Sequence, residues 1–239
     1  MFNRLLLIST STVHGSGYLD YCADSVTEFL GNVDTVLFVP YARPSGISHS
    51  KYTELARDRF AQMGLKLVGI QDSPDPGAAI RDAQSLFIGG GNTFLLLRDL
   101  YRVDLLDVVR KRVAEGMPYI GTSAGSNVAG LSIGTTNDMP IVCPPSFDAL
   151  GLVPFNLNPH YLDPDPTSTH RGETRETRIN EFHVLNEQPV VGLREGAWLR
   201  VKGSSAILEG SNGARLFRQG MEPEEFEPGA SLSFLLGSH

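Results

Sequence analysis

The order of hydrophobic segments predicts an α/β protein, a doubly wound and mostly parallel sheet flanked by helices, with antiparallel β-hairpins toward the C-terminus. Three observations carry that expectation. Short unbroken apolar runs, Leu5-Leu6-Leu7-Ile8 first among them, suit strands buried on both faces of a parallel sheet. Between these runs apolar residues recur at helical spacing, so strand and helix alternate through the first half of the chain. One run, Tyr119-Ile120-Gly121-Thr122, continues as Ser123-Ala124-Gly125-Ser126-Asn127, the strand, tight turn and helix order of a Gly-x-Ser-x-Gly nucleophile elbow.

The first strand is followed by polar Ser9-Thr10-Ser11-Thr12. Leu19, Cys22, Ala23, Val26 and Leu30 share a helical face, Gly31-Asn32 stops that helix, and Val36-Leu37-Phe38-Val39 is a second strand ended by Pro40. Tyr52, Leu55, Ala56, Phe60 and Met63 repeat the helical spacing up to Gly64, and residues 65–70 form a third strand. Residues 76–83 read as a short helix. Leu86-Phe87-Ile88 is the next strand, entering Gly89-Gly90-Gly91-Asn92-Thr93 and a helix through Phe94 to Leu100. Asp104 is the expected N-cap of a helix with Leu105, Val108, Val109 and Val113 inward and Gly116 as its stop.

After the elbow the period is lost. Residues 135–166, rich in Pro, Asn and Asp, read as long active-site loops. The polar stretch at 169–178 leads into a helix through Phe182. Strands follow at 190–193, 198–201, 206–208 and 214–217, with Lys202-Gly203 and Asn212-Gly213 as hairpin turns. These strands are expected to extend the same sheet, and residues 1–239 to form one domain.

The 239 residues, 41% hydrophobic and 20% charged, suffice for one sizeable core. A net charge of −7 argues against nucleic acid or an anionic membrane as partner, since both reward a basic face. The apolar run near the N-terminus is too short for a signal segment, and none approaches the roughly 20 residues that span a bilayer, so a cytoplasmic protein is expected. Cys22 and Cys143 are the only cysteines, which excludes a disulfide framework or a Cys-rich zinc site; both are expected to be small buried hydrophobes.

A serine needs a base to take its proton, usually a histidine oriented by a carboxylate. Of the six histidines, His160 stands out because Asn158-Pro159-His160-Tyr161 sets it in a stiffened loop downstream of the elbow, with His170 as competitor. Two carboxylates could orient it. Asp138, in Thr135-Thr136-Asn137-Asp138-Met139-Pro140, preserves a Ser, Asp, His chain order, and Glu195 stands at the end of a strand pointing into the crevice. The glycine-rich turn lacks the spacing of a nucleotide-binding loop. It is better read as supplying the Gly91 N–H, which with the Ala124 N–H would form an oxyanion hole; Asn92, closing that turn, is a candidate to touch substrate. Arg171, Arg175 and Arg178 form a basic cluster at helical spacing that could grip a carboxylate through paired hydrogen bonds.

Taken together, Gly89-Gly90-Gly91-Asn92-Thr93, Ile120-Gly121-Thr122-Ser123-Ala124-Gly125, the segment from Thr135 through Val142, Asn158-Pro159-His160, Gly172-Glu173-Thr174-Arg175 and Gly196-x-Trp198 resemble the peptidase E family, serine peptidases typified by α-aspartyl dipeptidase. The resemblance covers roughly the middle half of the chain. It implies a fold like that of class I glutamine amidotransferases, with serine in place of their cysteine, and a metal-independent, cofactor-free route through an acyl-enzyme. The implied substrate is a small dipeptide with an N-terminal L-aspartate. By motif, Ser123 is then the nucleophile, His160 the base and later acid, Gly91 and Ala124 the oxyanion donors, and Asp138 or Glu195 the third member. Arg175, with Arg171 as fallback, would meet the substrate β-carboxylate. A cyanophycinase-like hydrolase of acidic peptides and a non-catalytic amidotransferase-like binding protein are the rival readings, and a homodimer is the assembly to test.

Overall fold

The structure, a computed structural model, describes residues 3–44, 46–164 and 172–237. Its strands in chain order are β1 (Arg4–Ile8), β2 (Thr35–Val39), β3 (Lys66–Gly69), β4 (Leu86–Ile88), β5 (Tyr119–Thr122) and β6 (Asn156–Tyr161). β7 (Val190–Arg194), β8 (Ala197–Lys202), β9 (Ser205–Gly210), β10 (Ala214–Phe217) and β11 (Glu224–Phe226) follow. The helices are α1 (Ala23–Leu30), α2 (His49–Gln62), α3 (Pro76–Asp82), α4 (Thr93–Arg102), α5 (Leu106–Ala114), α6 (Ala124–Asn127) and α7 (Arg175–Phe182).

A seven-stranded sheet runs in the order β3-β2-β4-β5-β1-β8-β9. Its first five members pair in parallel, and β8 and β9 add antiparallel at the β1 side. Successive side chains on these strands leave opposite faces. Leu6, Ile8, Val36, Phe38, Phe87 and Ile120 pack with α1 and α2 on one side. Leu5, Leu7, Leu37, Val39, Leu86 and Ile88 pack with α4 and α5 on the other. Local chemistry sets several helix starts: the side chains of Ser48, Asp75, Asn92 and Thr174 each accept an N–H from the first turn they precede. Among the described residues no helix is long and apolar enough to cross a membrane.

Five expectations need correction. Asp104 does not cap α5; it adopts φ 52°, and the N-cap position falls on Leu105 with no side-chain bond. Cys143 is exposed, although Cys22 is buried. The stretch read as loop contains β6, hidden from the sequence because its Asn and Pro residues break the apolar signature of a strand. The C-terminal strands do not all extend one sheet: β6, β7, β10 and β11 form a second, four-stranded sheet in the order β11-β10-β7-β6. Asn212-Gly213 therefore carries the chain from β9 in one sheet to β10 in the other and is no hairpin turn. The β8–β9 hairpin does exist, with Lys202 opposite Ser205 across Gly203-Ser204. Leu157, Val191, Leu193 and Leu216 of the small sheet share a core cluster with Leu5 and Leu7 of the large one.

The glycines around the elbow allow backbone to meet backbone. A Cβ on Gly125 would fall 2.1 Å from the Ile88 carbonyl oxygen, and one on Gly121 would fall 2.5 Å from the carbonyl of Gly125. Because the obstacle at Gly125 is main chain, Gly125→Ala should destabilise the protein by about 3 kcal/mol, read as a drop in the denaturant midpoint. An unchanged midpoint would mean that β4 and α6 are not in contact as described.

Candidate active site

Ser123 sits between β5 and α6 with φ 52° and ψ −109°, a conformation that L-residues with a side chain rarely hold. Its neighbours hold it there. The Ser123 N–H donates to the Ile8 carbonyl at 3.0 Å. The buried Ser126 hydroxyl lies 2.7 Å from that same carbonyl and 2.8 Å from that of Gly121. From the strand side, the Tyr119 hydroxyl donates to the Gly125 carbonyl at 2.5 Å.

His160 belongs to β6, but it is the one residue of that strand left out of the ladder. Pro159 pairs with Leu193 and Tyr161 with Arg194, so His160 is a bulge, with φ 55°. A bulge turns a side chain out of the regular alternation of a strand. Here it brings the imidazole Nε2 to 2.9 Å from Ser123 Oγ, while Nδ1 lies 2.7 Å from Glu195 Oε1. Two contacts pin the bulge. The His160 N–H donates to Ser9 Oγ at 2.9 Å, and the Ser9 hydroxyl donates onward to the Leu193 carbonyl at 2.8 Å. Asn137 Nδ2 donates to the Pro159 carbonyl at 2.8 Å.

The two candidate carboxylates are thus separated by geometry. Glu195 occupies the link from β7 to β8, where the chain leaves the small sheet for the large one. Its backbone carbonyl accepts Asn212 Nδ2 at 2.5 Å, and Gly196 turns the chain at φ 84°. Asp138 faces elsewhere: its Oδ2 accepts the Thr93 N–H at 2.7 Å and the Thr93 hydroxyl at 2.6 Å, at the start of α4. It nevertheless lines the same small cavity as Ser123, Asn127 and His160.

The Gly91 and Ala124 N–H groups donate to no acceptor among the described residues. Asn92 is engaged at both ends of its amide, accepting the Leu95 N–H at 3.0 Å and donating to the Met139 carbonyl at 2.8 Å. Arg175 opens α7 and makes no ion pair among the described residues, whereas Arg178 lies 3.5 Å from Glu173. Burial, with the like charge of Arg178 second, holds the Arg175 guanidinium below its ordinary value, and the Asp138 carboxylate acts in the opposite direction. Arg171 and His170 lie outside the described residues.

Two further contributors were not evident from the sequence. Ser9 could have been suspected only from its place at the carboxyl end of a central parallel strand, where crevices form. Arg194, next to Glu195, donates to both carboxylate oxygens of Asp163 at 2.7 Å and to Glu225 at 2.9 Å, fastening the end of β7 to the segment after β6 and to β11.

A strained serine at the end of a parallel strand, with an imidazole on its hydroxyl and a carboxylate on the imidazole, is the layout of a serine hydrolase. Comparison with known proteins narrows that class. Residues 5–209 match the model of peptidase family S51. The chain is 53% identical over 233 residues to peptidase E of Streptomyces coelicolor, covering 98% of this chain and 95% of that one. It is 52% identical over 236 residues to a Drosophila melanogaster protein named probable alpha-aspartyl dipeptidase, covering 98% and 97% of the two chains. The crystal structure of a peptidase from an acI-B1 actinobacterium has the same fold, with a TM-score of 0.75 at 17% identity and 98% of each chain covered. The chain belongs to peptidase family S51, and the expected fold class and the resemblance to peptidase E are both borne out.

The clamp beside Glu195 has a pH signature. Hydrogen bonds from Arg194 hold the Asp163 carboxyl below the ordinary aspartate range, so its contribution to stability is complete above that range and is lost as pH falls through it toward the depressed folded-state value. The difference in urea midpoint between wild type and Asp163→Asn should be present at about pH 6 and shrink below about pH 4. A difference independent of pH would assign the effect to packing.

Proposed function

We propose that this chain is a cytoplasmic serine dipeptidase that releases L-aspartate from the N-terminus of dipeptides. The observation that carries the reading is the continuous hydrogen-bonded path from Ser123 through His160 to Glu195, with distances of 2.9 and 2.7 Å. In this reading Nε2 of His160 takes the hydroxyl proton as Ser123 Oγ attacks the scissile carbonyl. Glu195 accepts the Nδ1–H, which fixes the tautomer and steadies the imidazolium that forms. The Gly91 and Ala124 N–H groups receive the developing oxyanion. The imidazolium then protonates the departing amine, leaving an aspartyl ester on Ser123. Water, deprotonated by the same ring, hydrolyses the ester and frees the serine.

Substrate choice follows from charge. An N-terminal aspartate brings a β-carboxylate and an α-ammonium. Arg175, with no carboxylate partner among the described residues, is assigned to the first. Asp138 commits Oδ2 to Thr93 and Thr136, which leaves Oδ1 to accept from the second. The name carried by the Drosophila relative, probable alpha-aspartyl dipeptidase, supports the same substrate class.

Ser123→Ala should abolish hydrolysis of Asp-Leu, measured by release of free leucine; full turnover by that variant, or wild-type cleavage of cyanophycin in place of Asp-Leu, would remove the reading. Arg175→Ala should lower kcat/KM for Asp-Leu by on the order of 100-fold, the loss of a charge-assisted contact.

A second comparison separates the carboxylates. Glu195→Gln should depress kcat by about 100-fold or more on aspartyl and des-amino (succinyl) anilides alike. Asp138→Asn should raise KM for the aspartyl anilide and erase the preference for it over the succinyl one. Equal kcat losses on both anilides in Asp138→Asn would return Asp138 to the triad.

A further inference from the structure

We propose that Tyr52 is a positioning residue of the oxyanion site, acting through the peptide unit that joins Gly90 to Gly91. The inference rests on the reading of Gly91 as an oxyanion donor. Tyr52 lies on α2, remote in sequence from every residue of the triad, and is fully buried. Its hydroxyl donates to the Gly90 carbonyl at 3.2 Å. That carbonyl and the Gly91 N–H belong to one planar unit, and in a trans peptide they point in opposite directions. A donor that holds the carbonyl on the α2 side therefore turns the N–H to the other side.

Ser123 lies close to this unit. A Cβ added to Gly90 would fall 3.1 Å from Ser123 Cβ and 3.7 Å from its Oγ. The three glycines admit three different neighbours. At Gly89 a Cβ would meet the Tyr52 hydroxyl at 2.6 Å, at Gly90 it would meet Ser123, and at Gly91, where φ is +145°, it would meet the Ala42 carbonyl at 2.3 Å. A run of three glycines has little conformational preference of its own, so the plane of this peptide must be set from outside. Tyr52 is fit to set it because its ring is itself fixed. Phe38 packs edge-on at 5.0 Å, and the Arg43 guanidinium lies over the ring at 4.5 Å. A hydrogen bond to the carbonyl also polarises the same amide and strengthens its N–H as a donor.

Tyr52→Phe keeps the ring and removes only the donor. The expected result is a fall in kcat for Asp-Leu of about tenfold with KM within about twofold, smaller than the loss of an oxyanion donor itself. A boronic-acid analogue of aspartate, which forms a tetrahedral adduct on the serine, should lose affinity by the same factor, while inhibition by free aspartate stays unchanged. Placing 4-aminophenylalanine at position 52 restores an N–H donor on the same ring and should recover most of both losses; this variant also decides the matter if Tyr52→Phe folds poorly. Wild-type kcat and boronate affinity in Tyr52→Phe, with or without a lower melting temperature, would reduce Tyr52 to a core residue and leave the peptidase reading intact. Wild-type protein that neither hydrolyses Asp-Leu nor binds the boronate would instead overturn both.

Discussion

The hydrogen bond from the Ser123 N–H to the Ile8 carbonyl ties the end of β5 to the end of β1 and holds a serine in a backbone conformation it would otherwise leave. A residue at positive φ costs on the order of 1–3 kcal/mol, so the surroundings must over-determine it. They do so with main chain, through the close approach of Gly125 to Ile88, and with side chains, through Ser126 and Tyr119. The same close packing that strains Ser123 directs its hydroxyl outward at the carboxyl ends of the parallel strands. The contacts that stabilise the turn thus also fix the direction of the hydroxyl.

The second irregularity lies across the crevice. His160 also has positive φ, and it too is fixed by a buried serine, since Ser9 Oγ lies between its N–H and the Leu193 carbonyl. Ser9 immediately follows β1 and Leu193 lies in β7, so this hydroxyl couples the large sheet to the small one beside the imidazole. The carboxylate arrives by a related device, Glu195 standing in the link between the two sheets. Each group of the hydrogen-bonded path is therefore placed where regular secondary structure is interrupted.

The parallel half of the fold was legible because buried strands and amphipathic helices write themselves into local hydrophobic order, as at Leu5-Leu6-Leu7-Ile8 and along α2. Ser123 was legible because a tight strand-to-helix turn needs its glycines. What escaped depended on contacts distant in sequence. β6 engages its buried Asn158 with Thr135 and Asn137, so a polar residue stands where strand signals call for an apolar one. Asn212-Gly213 has the composition of a hairpin turn, and nothing local reveals that the strands on either side join different sheets. That Glu195 and not Asp138 lies against the imidazole follows from the direction of the His160 ring, which a one-residue bulge sets and no motif encodes.

The path of the chain between the two sheets has a consequence for how this architecture can be altered. After β7 in the small sheet the chain supplies β8 and β9 to the large one, then returns for β10 and β11. The small sheet is consequently stitched in rather than appended. It cannot be excised, grafted onto another scaffold or inherited as a separate module, because removing it cuts the backbone on both sides of the β8–β9 hairpin.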